Sequence, residues 1–465
     1  MRYWQGGFVS DVLYIVCLIA IASALRRGIG PMRKLGIPDA LVAGAIGLVL
    51  GPSVLGVLDF DPNHLEALVY HGLALIFITV SLQSAPKSER AGSAKSIAFA
   101  IPITIAMQAV FGLVLVLAWN LISAPATPGD GLHPGVGLML PLGFSQGPGV
   151  ALSLGSGWEG KGMKDGAQIG LIFAAMGFAW CTLGGVMLVS IARKRGWVDP
   201  KETGADLAMS DADSDIDKDP LPVGALEPLT GQVVAVGVVY FAVFALLSVL
   251  TPIVPEAHRP TLWAFHFIFG TGLAIAARAF ANRVYEPRKN PLDDRLLARL
   301  SSLVVDLTTA CALAAVDFGV VQEWLGPILV FTLSCGIVTS LWVVWISRRA
   351  FPVLSFHHGI ITYGAMTGTA TTGMALLRMI DPELRTQAAR NYVLGSAGAS
   401  LLSLPMLGII PYAVKDWPES YPTRVNTLIA MLVGYALVLT IIWFRKTPAR
   451  LLRPLTSFWP ADPPA

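Results

Sequence analysis

Long apolar runs, each cut off by charge, proline or glycine, dominate this chain. Asp, Glu, Lys and Arg are all absent from Ser96 to Gly129, Gly166 to Ala192, Leu229 to Pro255 and Trp324 to Ser347. Each run exceeds the roughly 20 residues with which a helix spans the hydrocarbon core of a bilayer. Runs bounded in this way predict spans over 8–25, 37–58, 66–83, 97–122 and 166–192. Past a polar loop they predict 229–251, 260–279, 300–318, 325–346, 388–412 and 426–444. The pattern is that of an all-α polytopic membrane protein with about eleven transmembrane helices.

Two further apolar stretches, 135–155 and 357–378, are broken by small and polar residues. The first contains Gly143-Phe144-Ser145-Gln146-Gly147-Pro148-Gly149, and the second Gly364-Ala365-Met366-Thr367-Gly368-Thr369-Ala370-Thr371-Thr372-Gly373. A continuous helix through either would be poor, since Gly costs about 1 kcal/mol and Pro about 3 in a helix interior. Both stretches read as re-entrant hairpins, short half-helices that enter the membrane and return on the same side.

Charge then supplies a topology. With the N-terminus outside and both hairpins non-crossing, 27 of the 33 Lys and Arg fall on the cytoplasmic side. The outside keeps Arg2, Lys161, Lys164, Arg259, Lys415 and Arg424. The C-terminus is then cytoplasmic, and the hairpins enter from opposite sides. Residues 8–192 hold four spans, a hairpin and a span, and residues 229–412 repeat that order. An odd number of crossings in the first copy turns the second upside down, which is an inverted-topology repeat. The hairpins also align in sequence: Ser145 to Leu152 lies over Thr369 to Leu376, each a hydroxyl residue followed at equal spacing by Gly-x-Ala-Leu.

Residues 193–228 join the copies as a cytoplasmic linker, in which Asp199 to Glu227 carries nine acids and two lysines. Residues 425–465 add a C-terminal span and a basic tail with no counterpart in the first copy. The N-terminal apolar run lacks a basic leader and is read as a retained span.

Composition agrees and excludes other classes. Of the 465 residues, 54% are hydrophobic and 14% charged. Soluble domains carry about 25% charged residues. That balance excludes a soluble enzyme. The net charge of +3 comes from short basic clusters between spans, which orient a membrane protein and make no nucleic-acid surface. Cys17, Cys181, Cys311 and Cys335 all sit in apolar stretches and read as small core residues. No Walker A loop, H-E-x-x-H or nucleophile arrangement is present in the sequence, so no enzyme and no cofactor is expected.

Irregular backbone at membrane depth must be buried in protein or line a wet cavity. Half-helix N-termini suit anions, exposed carbonyls suit Na⁺, and hydroxyls and glycines allow close approach. Matched hairpins therefore point to a substrate site made of Ser145, Gln146, Gly147, Gly149, Thr369, Thr371, Thr372 and Gly373. Arg378 reads either as a fork for a substrate carboxylate or as an interfacial charge beside Asp381. Asp306 reads either as a cation or proton site, with Thr309 and Thr367 as further oxygen donors, or as a carboxylate paired with Arg299. Asp317 is the weaker carboxylate of that span. His71 and His266 read as core histidines, and His357-His358 as a polar mouth of the second hairpin. Gln108, Asn120, Gln168 and Asn391 read as interhelical hydrogen-bonders, Asn391 being the best ligand candidate among them.

The order of spans, the Gly-rich hairpin before a long span and the inverted copy resemble the bacterial sodium/glutamate symporter family over most of residues 8–412. Ser145-Gln146-Gly147-Pro148-Gly149 occupies the place of a Gly-His-Gly-Thr-Gly stretch, and Gly364 to Ala375 matches a Gly-rich, Thr-containing stretch. Ile76 to Gln83 is similar to that family's third span. The chain departs from the pattern at Gln146, in place of histidine, at Arg378, in place of a neutral polar residue, and in the additional C-terminal span. The resemblance implies Na⁺ symport of a small carboxylate or amino acid by alternating access, in a homodimer of a bacterial inner membrane. Coupling to H⁺, an ion channel and a membrane sensor with the acidic linker as its output remain open as rival readings.

Overall fold

The computed structural model describes residues 7–29, 37–84, 92–198, 226–285, 291–381, 384, 386–447 and 458–459. The acidic stretch 199–225 of the linker and most of the basic tail, 448–457 and 460–465, lie outside the described residues. Within them the chain is helical, with no strand among the described residues. In order the helices are α1 (Phe8–Gly28), α2 (Asp39–Leu50), α3 (Pro62–Ser81), α4 (Gly92–Ser123), α5 (Pro134–Ser145), α6 (Pro148–Glu159) and α7 (Gly166–Lys194). There follow α8 (Leu226–Leu250), α9 (Arg259–Ala264), α10 (His266–Val284), α11 (Asp294–Ala314), α12 (Phe318–Glu323) and α13 (Leu325–Ala350). The last are α14 (Ser355–Thr367), α15 (Ala370–Arg378), α16 (Gln387–Ile409) and α17 (Thr423–Lys446).

Nine helices among the described residues are long and apolar enough to cross a membrane, and the chain is a multi-pass α-helical membrane protein. The two remaining expected spans take other forms. Over 37–58 only the 12 residues of α2 are helical. Gly51 leaves that helix in extended backbone, ahead of Pro52, which cannot continue it. Over 260–279 the chain breaks at Phe265, dividing the six residues of α9 from the 19 of α10. Both exceptions occupy the second position of their half of the chain.

Local chemistry sets the helix starts. Proline opens α3, α5 and α6, where its missing N–H costs nothing. Asp61 caps α3 by accepting from the Asn63 N–H at 2.9 Å, and Asp293 caps α11 through the N–H groups of Arg295 and Leu296. Arg193 and Lys194 end α7, and Arg348 and Arg349 lie in the last turn of α13, charge that suits a helix C-terminus.

The helices sort into two packed groups. One, here the scaffold, holds α1, α2, α3, α8, α10 and α11, with α3 and α11 at its centre. The other holds α4, α7, α13 and α16 around the two broken stretches, α5–α6 and α14–α15. The long 32-residue α4 is its spine, packed against α5, α13, α16 and α17. Helix α17 lies along α4 through buried Leu428, Leu432, Leu439 and Trp443, and the Trp443 indole donates to the Ser96 hydroxyl at 3.2 Å.

Glycine sets the spacing where the first broken stretch docks. A Cβ on Gly112 of α4 would fall on the Gly137 carbonyl of α5, and one on Gly155 of α6 would fall on the Gly166 carbonyl of α7. Small residues at such crossings let backbones approach within van der Waals contact, the main source of helix cohesion in lipid. Gly112→Val and Gly155→Val are therefore expected to lower the apparent melting temperature in detergent sharply, overpacking costing about 1–3 kcal/mol or more. Gly434→Ala in α17, where a Cβ meets nothing within 4 Å, serves as the neutral control. Melting curves for the three variants check this.

Candidate functional site

Each broken stretch is a helical hairpin. In the first, α5 ends at Ser145, Gln146 is still right-handed helical, and Gly147 turns the chain at φ +85° into Pro148 of α6. That φ favours glycine, which explains the residue at the tip. The arms fold back together, so that a Cβ on Gly135 would lie 3.0 Å from the Trp158 ring. In the second, α14 ends at Thr367 and Gly368 leads into Thr369, the N-cap of α15. A capping box closes this end: the Thr369 N–H donates to the Thr372 hydroxyl at 2.9 Å, and the Thr372 N–H donates to the Thr369 hydroxyl at 3.4 Å. The arms are in contact at Gly364 and Gly373, where a Cβ on Gly373 would lie 2.5 Å from the Ile361 carbonyl oxygen.

The tips meet at one side chain. Gln108, fully buried at the middle of α4, donates from Nε2 to the Met366 carbonyl of the second hairpin at 3.0 Å and to the Thr339 hydroxyl of α13 at 3.1 Å. Its Oε1 accepts from the Ser145 hydroxyl of the first hairpin. The same amide thus ties both hairpins and the crossing of α4 with α13. Gly177 of α7 closes the far side: a Cβ there would lie 2.7 Å from the Thr367 carbonyl oxygen and 3.1 Å from the Phe144 ring, so its absence makes room for both. The Cys181 thiol is within interaction range of the Thr367 and Thr372 hydroxyls.

This junction carries no charged side chain among the residues named. It offers hydroxyls, an amide and the N-termini of two helices, where the first N–H groups lack helical partners. The α6 end has no side-chain cap, leaving the N–H groups of Gly149 and Val150 as donors. At the α15 end Thr369 and Thr371 share a hydroxyl hydrogen bond of 2.7 Å, and Thr371 is exposed. Such an end can hold a carboxylate by dipole and hydrogen bonds without a side-chain cation. A cleft of ≈ 580 Å³ runs between α2 and α7, lined by Leu41, Ala45, Val49, Phe178, Ala179 and Thr182. Its Phe178 ring lies 3.2 Å from where a Cβ on Gly368 would sit, so the cleft adjoins the second tip.

The expected site residues divide by position. Ser145, Gln146, Gly147, Gly149, Thr367, Thr369, Thr371 and Thr372 all belong to the two tips, whereas Gly373 faces the opposite arm of its own hairpin. Arg378 is exposed at the far end of α15. Asn391 lies at the foot of the second hairpin, its Nδ2 3.1 Å from His358 Nε2. Asp306 and Thr309 stand on α11 in the scaffold, Asp306 within electrostatic reach of Asp39, which pairs with Arg26. Asp381 accepts from the Thr386 N–H and hydroxyl at 2.9 and 2.7 Å. Asp317 caps α12. Gln108 and Thr339 are the residues whose central role the sequence pattern understates. Their one signal is position, a single amide near the middle of a long charge-free run.

No family model matches the chain, and no curated protein matches its sequence.

His133, just ahead of α5, caps the first hairpin through its ring: Nδ1 accepts from the Gly135 N–H at 3.0 Å. An accepting Nδ1 requires the neutral ring, and burial pushes its pKa down to about 4. A histidine depressed below its unfolded value stabilises the fold fully above about pH 6.5, and that stability is lost as the pH falls toward 4. The apparent melting temperature in detergent should therefore drop between pH 7 and pH 5. His133→Asn, whose amide oxygen caps without titrating, should make that drop smaller.

Proposed function

We propose that this protein is an ion-coupled secondary transporter, built from two inverted-topology repeats whose hairpins re-enter the membrane from opposite sides. The observation that carries the reading is the meeting of both hairpin tips at Gln108, inside helices long and apolar enough to span a bilayer. Broken helices that converge at mid-membrane, with the α6 N-terminus free of a side-chain cap and hydroxyls around both tips, fit a solute site between repeats. The substrate class is a small carboxylate or amino acid, received by the N-terminal ends of α6 and α15, Ser145, Gln146, Thr369 and Thr371.

Na⁺ is the coupling ion in this reading, with carbonyl and hydroxyl oxygens at Thr367 as the favoured donors. The alternative is H⁺ at Asp306, half-buried and near a second carboxylate, Asp39. The protein would act as a homodimer in a bacterial inner membrane, with its N-terminus outside. Entry of a coupling cation draws on the membrane potential, worth about 2.3 kcal/mol per charge per 100 mV.

Uptake into proteoliposomes tests this, with glutamate, other amino acids and dicarboxylates offered under a Na⁺ gradient and then a pH gradient. Accumulation under one gradient is the expected result, and none under either removes the reading. Gln108→Leu should lower uptake at least about tenfold, since removing one partner from a buried polar network costs about 1–3 kcal/mol. Gly149→Leu, which drives a side chain into Leu73, should abolish uptake while the protein still inserts, as read by its yield in membranes. Normal uptake by both variants would place the solute site elsewhere.

A further inference from the structure

The hairpin-bearing group and the scaffold touch along one side. Helix α6, the second arm of the first hairpin, lies on α3 and α9. A Cβ on Gly149 would meet Leu73 at 2.9 Å, one on Gly157 would meet the Ala264 methyl at 3.0 Å, and the buried Ser153 hydroxyl donates to the Ala264 carbonyl at 2.7 Å. The matching arm of the second hairpin is differently placed. Among the described residues its substantial neighbours are α14 and α7, both of its own group. Thr371 on it is exposed, and the cleft between α2 and α7 opens beside its tip. Contact at one hairpin and a cleft at the other is the arrangement of a gate shut at one end.

Besides Ser153, a second polar side chain crosses the closed seam. Gln168, in the first turn of α7, donates from Nε2 to the Glu66 carboxylate of α3 at 2.6 Å and to the Ala315 carbonyl at the end of α11 at 3.1 Å. Its Oε1 accepts the Asp317 N–H at 2.8 Å. These three bonds all reach out of the hairpin-bearing group. The bond to Glu66 is charge-assisted, roughly twice as strong as one between neutral groups. The turn that carries Gln168 is itself fixed, since the Glu159 carboxylate accepts the Ala167 N–H at 3.0 Å and Asp165 accepts from the Trp324 indole at 3.1 Å.

We propose that Gln168 and Glu66 form the latch that holds the hairpin-bearing group against the scaffold at its outer end. The conformation described here is then the cytoplasm-open member of the cycle. The latch takes its meaning from the transporter reading, but its test does not depend on it. Gln168 is a positioning residue: it acts on the tips through α7, whose Gly177 and Phe178 lie against them.

Two cysteine reporters read the latch in membrane vesicles of both orientations, with a membrane-impermeant maleimide. Ser153→Cys reports the closed seam from outside, and Thr371→Cys the exposed second tip beside the cleft from the cytoplasmic side. Vesicles of the parent, with its native Cys17, Cys181, Cys311 and Cys335, give the background. Gln168→Ala should raise outer labelling of Ser153→Cys about tenfold, the loss expected of a hydrogen bond to a charged group, and lower cytoplasmic labelling of Thr371→Cys. Glu66→Ala should do the same, and Glu66→Gln, which keeps an acceptor, should do less.

Unchanged labelling of Ser153→Cys would overturn the latch. So would a parallel rise at both reporters, which marks a loosened fold and no reciprocal shift. A reciprocal shift in a protein that accumulates no solute keeps the latch and removes the transporter reading. Uptake without a reciprocal shift does the opposite.

Discussion

Backbone N–H and C=O groups cannot be left bare in hydrocarbon, and every unusual feature of this fold follows from that constraint. Two helices break at their centres, at Gln146-Gly147 and at Gly368-Thr369. In lipid those breaks would each strand several polar groups at a cost of several kcal/mol. They are tolerated because each tip is sunk among α4, α7 and α13, where Gln108 supplies the Met366 carbonyl with a donor and the Ser145 hydroxyl with an acceptor. Polar groups that are satisfied by one another, and not by water, must stay in register. The long helices are packed to keep them there.

That requirement separates the two helix groups in character. Around the hairpins the contacts are glycine against carbonyl, as at Gly112 with Gly137 and Gly155 with Gly166, and they allow little adjustment. Between the groups the contacts are fewer and depend on side chains: Leu73 against Gly149, the Ser153 hydroxyl and the Gln168 amide. Close-packed interiors are bistable and not continuously deformable. A seam made of side-chain contacts is where such a molecule yields first.

Much of this is legible in the sequence, for physical reasons. Absence of charge over 20 or more residues has one explanation in a folded protein, and the helices stand where those runs predict them. Gly, Pro and Thr inside an apolar run also carry their meaning openly, and both interruptions are hairpin tips. Pairing across distance is what cannot be read. Gln108 and Thr339 are 231 positions apart, and nothing local marks them as partners. Asn391 reads as a ligand because it follows the second hairpin in sequence, but α14 is long enough to carry its partner His358 well away from the tip. Span 37–58 comes out too long because apolar composition continues past Gly51 while the helix does not, and span 260–279 begins too early because apolar composition runs across the break at Phe265, its helix then reaching Val284.

The terminal helix α17 has a consequence for energy as well as for packing. It braces α4 through Trp443 and its buried leucines. The other helix of the central crossing, α13, shares no such extended contact with it among the described residues. Two halves of a chain that mirrored each other fully would offer two tilted arrangements of equal energy. Under the transporter reading proposed above, a splint along one arm of the crossing removes that equality, so the balance between the two arrangements is weighted by a helix packed on α4 and not on the hairpins.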